Sequence, residues 1–539
     1  MIDISDVVAR LEEFVRMKRA FDGIPGLAIA ITDRTRAVHS GEYGVSDIAS
    51  GEPVRKETLF QIGSIGKSFT GIALLQLQEQ GRVDLQEPVT EYLPWFEVRS
   101  RHAPITLHHL MTHTAGIPIG SEATMAPESE VWELRHIETS APPGEFFHYS
   151  NTGYKVLGLI LETVTGMPYA EAVSSSILKP LGMTQTAPAI TNDVWQRSAV
   201  GYMWLEDDRP PARNGRMSPA TWFESSSGDG SISSTADDMA KYVRMLMNRG
   251  AGPDARLISE GSFELMTSPH VFCGEGGEKE HYGYGLSVRE DDGRSVLSHT
   301  GGMVGYTSSM LMDMDFGMGI IVLTNSLDEP EQISRYFLRL LGASGRGDDL
   351  PEAVVSRHRC DPSTLSEYVG DYHGKAGVLR VSEKDGSLHS VVDGVDVSME
   401  CVKDDYFRLD HPDFRLFLVR FLRSGERLVG IGHGSAIYLL EPADSESPAP
   451  PPAAWSSYVG HYRSYNPWLT NFRVVCRGQD LLFIEPSGIE QVLVPIREGT
   501  FRVGEELRSP ETLSFDMVVM GKAHRASLSG GSCYRTFTP

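Results

Sequence analysis

Cysteine is scarce in this sequence. Only 5 of the 539 residues are cysteines, and no two of them form a C-x-x-C pair. The five positions are Cys273, Cys360, Cys401, Cys476 and Cys533. An odd number of widely spaced cysteines predicts neither a disulfide framework nor a zinc site. We therefore expect a reduced, cytoplasmic setting, or a periplasmic one if a secretory signal has been removed.

Long apolar runs and an excess of basic residues are also missing. No stretch of about 18 residues is both uncharged and apolar, which argues against a membrane-spanning helix. Residues 1–17 carry acidic side chains where a secretory signal has a basic start and an apolar run. With 49 Lys and Arg against 72 Asp and Glu, the formal net charge is −23 at pH 7. This charge repels phosphate backbones and anionic lipids, so the sequence predicts no nucleic-acid or membrane partner.

Several common catalytic motifs are absent as well. The sequence has no G-x-S-x-G nucleophile elbow and no H-E-x-x-H zinc helix. Gly66, Lys67 and Ser68 match the end of a P-loop, but Gln61 stands where that motif needs a glycine. We therefore predict no phosphate cradle, no metal and no cofactor.

Helical and strand patterns alternate over roughly the first 340 residues. Gly26–Ile31 is typical of a buried strand, and Ser308–Leu323 predicts two strands joined by a turn. Lys67–Gln80 and Tyr154–Val164 have the composition of helices that end at a glycine. Helices enclosed between leading and trailing strands predict an α/β (α+β) domain over residues 1–342.

Two linkers divide the rest of the chain. Residues 343–350 are rich in Gly and Asp, and residues 445–454 are rich in Pro. After each linker a similar motif returns: YVGDY at Tyr368–Tyr372 and YVGHY at Tyr458–Tyr462. Short alternating segments follow both copies, so we predict two small all-β antiparallel barrels. These domains would span residues 351–444 and 455–539.

The first candidate chemical motif is S-x-x-K at Ser64–Lys67, at the start of a predicted helix. A spacing of three places both side chains on one helix face, about 5–6 Å apart at Cβ. A serine hydroxyl is a weak nucleophile that needs a base beside it, and a lysine amine one turn away can accept its proton. Taken alone, the motif fits a helix-capping serine beside a surface lysine better than a catalytic pair.

A second motif is Tyr149-Ser150-Asn151, in a turn that enters a predicted helix. A tyrosine near a lysine can relay protons between the serine, the lysine and a leaving group. The Asn151 amide can orient both the lysine and a substrate carbonyl. A half-buried tyrosine followed by a helix-capping asparagine is the structural alternative.

The third motif is His299-Thr300-Gly301-Gly302, at the end of a predicted strand. Small residues allow a substrate backbone to lie along the strand edge, and the Gly302 N–H can pair with that of Ser64 as an oxyanion hole. His299 can hydrogen-bond Tyr149 or a substrate carboxylate. A polar turn between strands is the alternative interpretation.

Together these motifs resemble those of the serine β-lactamase and penicillin-binding-protein superfamily, which carries S-x-x-K, Y-x-N and a K/H-T-G triplet in this order. The resemblance covers roughly residues 7–340. Flanking segments that share it are Phe60–Gly63, Leu110–Pro118, Pro180–Met183 and Gly228–Thr235. It implies a β-lactamase-like catalytic domain in which helices flank an antiparallel sheet.

The resemblance also implies roles for individual residues. Ser64 would be the nucleophile, and Lys67 and Tyr149 would share the role of base. His299 would join the catalytic proton network. Substrate binding would fall to Asn151, Thr300, Gly301 and Gly302.

The histidine at position 299 is informative because class C β-lactamases usually have lysine there. The H-T-G form is similar to that of D,D-peptidases, D-aminopeptidases and related amidases and esterases. A catalytic domain followed by two barrels looks most like the D-aminopeptidase arrangement. We therefore expect a serine hydrolase that forms an acyl-enzyme with short peptides containing D-amino acids.

Two other functions stay open from the sequence. One is a broad carboxylesterase with weak β-lactamase activity. The other, of a different class, is a non-catalytic scaffold or ligand-binding protein. The expected partner is a small-molecule or short-peptide substrate, and a homo-oligomer is compatible with the sequence.

Overall fold

The computed structural model describes residues 4–122, 126–212, 215–274, 279–355, 362–375, 377–440 and 451–537. The chain divides into two compact units. Unit 1 comprises Met1–Met203, Met217–Val355 and Arg508–Pro510, and unit 2 comprises Trp204–Arg216, Ser356–Leu507 and Glu511–Pro539.

Helices and strands before residue 350 are mixed along the chain. The helices are α1 Ile4–Asp22, α2 Gly66–Glu79, α3 Leu107–Met111, α4 Pro127–Glu133, α5 Asn151–Thr165, α6 Tyr169–Val173, α7 Asn192–Trp195, α8 Ala236–Met247, α9 Glu260–Met266 and α10 Glu331–Arg346. The strands are β1 Gly26–Asp33, β2 Ala37–Asp47, β3 Glu52–Pro53, β4 Phe60–Gln61, β5 Tyr202–Trp204, β6 Met217–Pro219, β7 Ser233–Ser234, β8 Val271–Phe272, β9 Glu280–Tyr282, β10 Ser287–Asp291, β11 Arg294–Met303, β12 Tyr306–Asp313 and β13 Met318–Thr324.

A nine-stranded antiparallel sheet runs through unit 1 in the order β3-β2-β1-β13-β12-β11-β10-β9-β8. Side chains alternate between its faces, as strand geometry requires. In β1, Leu27 and Ile29 pack into a core that contains residues of α1 and α10. Ala28 and Ala30 point the other way, into a core that contains residues of α2, α5 and α8. Helices therefore cover both faces, which confirms the predicted fold class.

In the described part of the chain no single helix is long and apolar enough to cross a membrane. One bent pair, Asn151–Thr165 with Tyr169–Leu178, meets the length and composition criteria together, across a bend of 76°. Most side chains of α5 are buried in the core of unit 1. That burial explains their apolar composition.

Unit 2 contains two closed antiparallel barrels of eight strands each. The first is formed by β14 Gly370–Gly374, β15 Gly377–Lys384, β16 Ser387–Val392, β17 Val395–Lys403, β18 Tyr406–Leu409, β19 Val419–Ser424, β20 Arg427–His433 and β21 Ala436–Leu439. The second is formed by β22 Gly460–Arg463, β23 Asn471–Arg477, β24 Asp480–Ile484, β25 Glu490–Arg497, β26 Thr500–Val503, β27 Thr512–Val519, β28 Lys522–Leu528 and β29 Gly531–Thr536. The predicted pair of all-β barrels is confirmed.

The repeated Y-V-G-x-Y motif has the same structural role in both barrels. In each barrel it leads from a short 3₁₀ helix into the first strand. The Tyr372 hydroxyl donates to the Tyr368 carbonyl at 2.7 Å, and the Tyr462 hydroxyl donates to the Tyr458 carbonyl at 2.7 Å. The hydroxyl of the second tyrosine thus stabilises the turn that begins each barrel.

A buried ion pair links the two barrels within unit 2. Arg477 donates to both carboxylate oxygens of Glu490, at 2.7 and 2.6 Å. Arg477 also donates to the Gly434 carbonyl of the first barrel at 2.7 Å. The two side chains are only 4% and 1% exposed. Glu490 also pairs with Arg420 of the first barrel at 3.5 Å, so without Arg477 its charge would keep only this longer contact.

The region predicted as the first linker is partly helical. Helix α10 continues to Arg346, so residues 343–346 belong to it. Gly345 allows close packing there, because a Cβ at this position would lie 2.3 Å from the ring of Phe316. Gly345 thus reflects a tight helix contact, and Gly347 ends the helix. Of the second predicted linker, residues 445–450 lie outside the described residues, and Ala453 begins a 3₁₀ helix that ends at Ser457.

The cysteines are not all reduced. Cys273, Cys476 and Cys533 carry free thiols, whereas Cys401 is disulfide-bonded. The number and spacing of the cysteines gave no sign of this bond. The expected cytoplasmic or periplasmic setting stays a prediction.

Candidate active site

Ser64 and Lys67 meet at the start of α2. Ser64 lies in a 3₁₀ turn, Gly63–Ile65, that leads directly into the helix. The Lys67 side chain is fully buried, and its Nζ lies 2.9 Å from the Ser64 Oγ. The structure therefore excludes the surface lysine of the alternative interpretation.

Lys67 has two further hydrogen-bond partners. Its Nζ donates to the Asn151 Oδ1 at 2.8 Å and to the Asp229 carbonyl oxygen at 2.8 Å. The same nitrogen lies 4.8 Å from the centre of the Tyr149 ring. Side chains from the first two sequence motifs thus converge around one buried nitrogen.

The beginning of α5 explains why Tyr149 and Asn151 are placed together. Ser150 is the N-cap: its Oγ accepts from the Gly153 N–H at 3.0 Å and donates to the Pro118 carbonyl at 2.6 Å. Because Ser150 caps the helix, the Asn151 side chain is free to face Lys67. The alternative of a capping asparagine is therefore wrong.

A buried ion cluster supports the segment that precedes α4. Lys155, one turn after Asn151 on α5, pairs with both Glu122 and Glu130. Burial and the nearby Asp229 raise the pKa of Glu122 to about 7. The backbone of this segment also holds α5, since the Ile119 carbonyl accepts from the Asn151 N–H at 2.8 Å.

Backbone contacts at two glycines bring β11 against the Ser64 turn. A Cβ on Gly301 would lie 1.9 Å from the Ile62 carbonyl oxygen. Gly63 has φ +52°, and a Cβ there would lie 2.7 Å from the Gly302 nitrogen. By contrast, a Cβ on Gly302 would meet nothing within 4 Å. Gly302 therefore borders open space beside Ser64.

One edge of β11 is available beyond Ser298. Its pairing with β10 ends at Ser298, opposite Ser287, whereas its pairing with β12 continues to Met303. Among the described residues, no strand pairs with the other edge of β11 from Thr300 to Met303. The exposed Thr300 and Gly302 lie on this stretch.

His299 has different partners from those predicted. Its Nδ1 lies 2.6 Å from the Thr300 carbonyl oxygen and its Nε2 lies 2.8 Å from the Tyr282 hydroxyl. A carbonyl only accepts, so Nδ1 carries the proton and Nε2 accepts from Tyr282. Burial and the nearby Lys67 lower the pKa of His299 to about 4. The predicted bond to Tyr149 is replaced by one to Tyr282, and both ring nitrogens are engaged.

Three residues at the site were not predicted from the sequence. Asp229 contributes its backbone carbonyl to Lys67, and it lies in the Gly228–Thr235 segment that carried the resemblance. Tyr282 comes from a short strand with no recognisable signal. His113, whose ring centre lies 4.2 Å from that of Tyr149, lies in the Leu110–Pro118 segment.

One group of possible metal ligands occurs among the described residues, away from Ser64 in sequence. Asp393, His411 and Asp413 of the first barrel have ligand atoms within 4.8 Å of one another. Both aspartates are exposed. Three ligands, two of them on exposed side chains, fall short of the four that structural zinc sites use. We assign no metal to them.

Comparison with known proteins agrees with this geometry. The model of the Beta-lactamase family matches residues 11–344, more than half of the chain. The chain belongs to the β-lactamase family. It is therefore a serine hydrolase, since members of this family act through an acyl-enzyme.

Its relatives include penicillin-binding proteins and an amidohydrolase. Penicillin-binding protein 4* of Bacillus subtilis is 27% identical over 61% of this chain and 75% of its own length. The octameric penicillin-binding protein homologue of Pyrococcus abyssi is 26% identical, covering 80% of this chain and 99% of that one, with a TM-score of 0.59. A D-stereospecific amidohydrolase of Streptomyces is 26% identical, covering 64% of this chain and 100% of that one, with a TM-score of 0.51.

Proposed function

We propose that this serine hydrolase uses Ser64 as its nucleophile and cleaves amide bonds in short peptides that contain a D-amino acid. The observation that carries the proposal is the set of three partners around the Lys67 Nζ. It supports a role for Lys67 as the base that receives the Ser64 proton.

The number of hydrogen bonds that an amine can form explains why Lys67 can act as the base. The Asp229 carbonyl oxygen and the Asn151 Oδ1 can accept hydrogen bonds but cannot donate them. In a neutral Lys67 these two acceptors take both N–H groups, so the remaining lone pair points at the Ser64 hydroxyl. Transfer of the serine proton then gives an ammonium whose three protons all have partners. Lys67 can therefore accept the proton without reorienting, which favours catalysis.

Tyr149 is the proposed carrier of the proton to the leaving group. Its ring lies beside the Lys67 Nζ, and its phenol can receive a proton from the ammonium and pass it on. His299 is less suited to this role, because both of its nitrogens are already engaged. We assign His299 to the support of the β11 edge.

The substrate would lie along β11. We propose that the N–H groups of Ser64 and Gly302 form the oxyanion hole, where they would stabilise the tetrahedral intermediate. The unpaired stretch Thr300–Met303 would bind the substrate backbone as an added strand. Water would then release the acyl group through the same proton carriers in reverse.

The preference for a D-residue is supported by the D-stereospecific amidohydrolase, which this chain resembles over the whole length of that protein. The order of domains, with two barrels after the catalytic domain, also favours a D-aminopeptidase-like enzyme. The carboxylesterase and the non-catalytic scaffold are outcomes that the following test distinguishes.

The test has two stages. A fluorophosphonate or a fluorescent penicillin should label Ser64, as shown by peptide mapping, and Ser64→Ala should abolish the adduct. Ser50→Ala, at an exposed serine, is the matched control and should leave labelling unchanged. Absence of any adduct on Ser64 would favour the scaffold.

Substrate preference is then ranked with one panel. It contains D- and L-aminoacyl nitroanilides, short-chain nitrophenyl esters and nitrocefin. We expect the highest kcat/KM with D-aminoacyl nitroanilides. Equal rates for both enantiomers, with faster ester cleavage, would replace the peptidase by the carboxylesterase.

We also propose that the protein assembles with copies of itself. The support is the octameric homologue, whose whole length this chain matches. Light scattering coupled to size-exclusion chromatography would give the mass directly, and a mass of 59.4 kDa, that of one chain, would contradict the proposal.

A further inference from the structure

His113 occupies an unusual backbone conformation just after α3. Its φ is +57°, in the left-handed region that only a few per cent of non-glycine residues adopt. Histidine is among the residues enriched there. Such a conformation persists where the surrounding structure strongly determines it, and it often occurs at functional sites.

Three contacts of His113 involve Tyr149 and its two chain neighbours, and the ring also packs against Tyr154 and Tyr282. The His113 carbonyl accepts from the His148 N–H at 2.8 Å. Its Nδ1 accepts from the Ser150 N–H at 3.0 Å. Its ring centre lies 4.2 Å from that of Tyr149, with 35° between the ring planes. One residue therefore contacts both chain neighbours of Tyr149 and the tyrosine ring itself.

The hydrogen bonds also define the protonation state of His113. Because Nδ1 accepts from a backbone N–H, a neutral ring carries its proton on Nε2. This Nε2 is buried and has no hydrogen-bond partner among the described residues. Burial, with Lys67 and His299 close by, lowers the pKa of His113 well below its usual value. A neutral ring can pack here beside the Lys67 ammonium without charge repulsion.

We propose that His113 is a positioning residue that holds the Tyr149 ring beside the Lys67 Nζ. The inference rests on the proposed function, in which Tyr149 carries the proton. His113 acts through Tyr149 and touches no reacting atom. Its left-handed backbone, its acceptor at Nδ1 and its ring each contribute one of the contacts.

Substitution of His113 by asparagine separates the role of the ring from the roles of the backbone and of the hydrogen-bond acceptor. His113→Asn tolerates a left-handed backbone and offers Oδ1 in place of Nδ1, but it removes the ring that packs against Tyr149. We expect a lower melting temperature, because loss of the buried ring leaves a cavity. In the folded fraction we expect an almost unchanged KM and a kcat lower by about 100-fold. The pH dependence of kcat should also shift, because the phenol is no longer held in place. His136→Asn, at an exposed histidine, is the control and should change none of these values.

A double-mutant cycle with Tyr149→Phe tests whether His113 acts through Tyr149. The kcat for a D-aminoacyl nitroanilide, whose amine leaving group must receive a proton, is the readout in all four proteins. His113→Asn should lower kcat when Tyr149 is present and have little further effect when it is phenylalanine. An equal effect in both backgrounds, or unchanged kcat and pH profile in His113→Asn, would overturn the proposal while the proposed function stands. If Tyr149→Phe itself leaves turnover unchanged, the proposed function and this inference both fail.

If His113→Asn does not fold, His113→Phe provides the second measurement. It keeps a ring against Tyr149 but leaves the Ser150 N–H without its acceptor. We expect it to melt at a lower temperature and, in its folded fraction, to retain more kcat than Tyr149→Phe. A folded fraction as inactive as Tyr149→Phe would contradict a role for the ring contact.

Discussion

The contact between Gly301 and the Ser64 turn offers a sharp test of how the site is assembled. An alanine at position 301 would place its Cβ 1.9 Å from the Ile62 carbonyl oxygen and 2.5 Å from the Ser308 Oγ. Real Cβ contacts essentially never fall below 3.0 Å. The Ile62 oxygen belongs to the backbone, so no side-chain rotation relieves the clash. The strand and the turn would have to separate by about 1 Å.

This separation should affect both stability and catalysis. Overpacking of a well-packed interior typically costs about 1–3 kcal/mol of folding free energy. The shift would also move Ser64 relative to Gly302, and a misplacement of about 1 Å can cost roughly 100-fold in rate. We therefore expect Gly301→Ala to lower the melting temperature and to reduce kcat/KM about 100-fold.

Gly302→Ala is the matched control for the loss of stability, since Gly302 itself belongs to the proposed oxyanion hole. The neighbouring position has open space where the Cβ would go, so the fold should tolerate it. Melting curves and the rate of fluorophosphonate labelling of Ser64 should be measured for both variants, with the rate corrected for the folded fraction. If Gly301→Ala melts and reacts like the unsubstituted protein, the close packing of β11 on the Ser64 turn is not what positions the serine.

Three further predictions concern stability. The pKa of His299 is lowered to about 4 in the folded protein, so the unfolded chain binds a proton at this histidine more readily. The contribution of His299 to the free energy of unfolding is therefore complete above about pH 6.5 and decreases toward pH 4. In urea denaturation, His299→Asn should remove about 2 kcal/mol of the stability loss between pH 7 and pH 5. An acid-induced loss of the same size in the variant would contradict this. Arg477→Met should cost up to about 3–5 kcal/mol, because it leaves the buried Glu490 with only its longer pair to Arg420. Adding Glu490→Leu should recover most of this cost; no recovery would mean that packing, not charge, dominates there. Tyr372→Phe removes the hydroxyl that donates to the Tyr368 carbonyl and should lower the free energy of unfolding by about 1 kcal/mol, measured by thermal melting. An unchanged melting temperature would show that this hydrogen bond does not stabilise the barrel.

The local chemistry of the site was readable from the sequence. A spacing of three between Ser64 and Lys67 places both side chains on one helix face, whatever surrounds the helix. The continuous apolar runs of β1 and β13 and the repeated Y-V-G-x-Y motif were equally local signals. These patterns were enough to predict the sheet flanked by helices, the two barrels and the candidate residues Ser64, Lys67, Tyr149 and Asn151.

Hydrogen-bond partners that lie far apart in the chain could be identified only from the tertiary structure. The carbonyl of Asp229 binds Lys67, yet every residue has a carbonyl, so no side-chain pattern identifies it. The bond from Tyr282 to His299 depends on the packing of β9, β10 and β11, and it replaces the predicted bond to Tyr149. The segment around Gly345 is a second example. Its content of Gly and Asp indicated a linker, whereas in the structure Gly345 belongs to α10 and packs against Phe316.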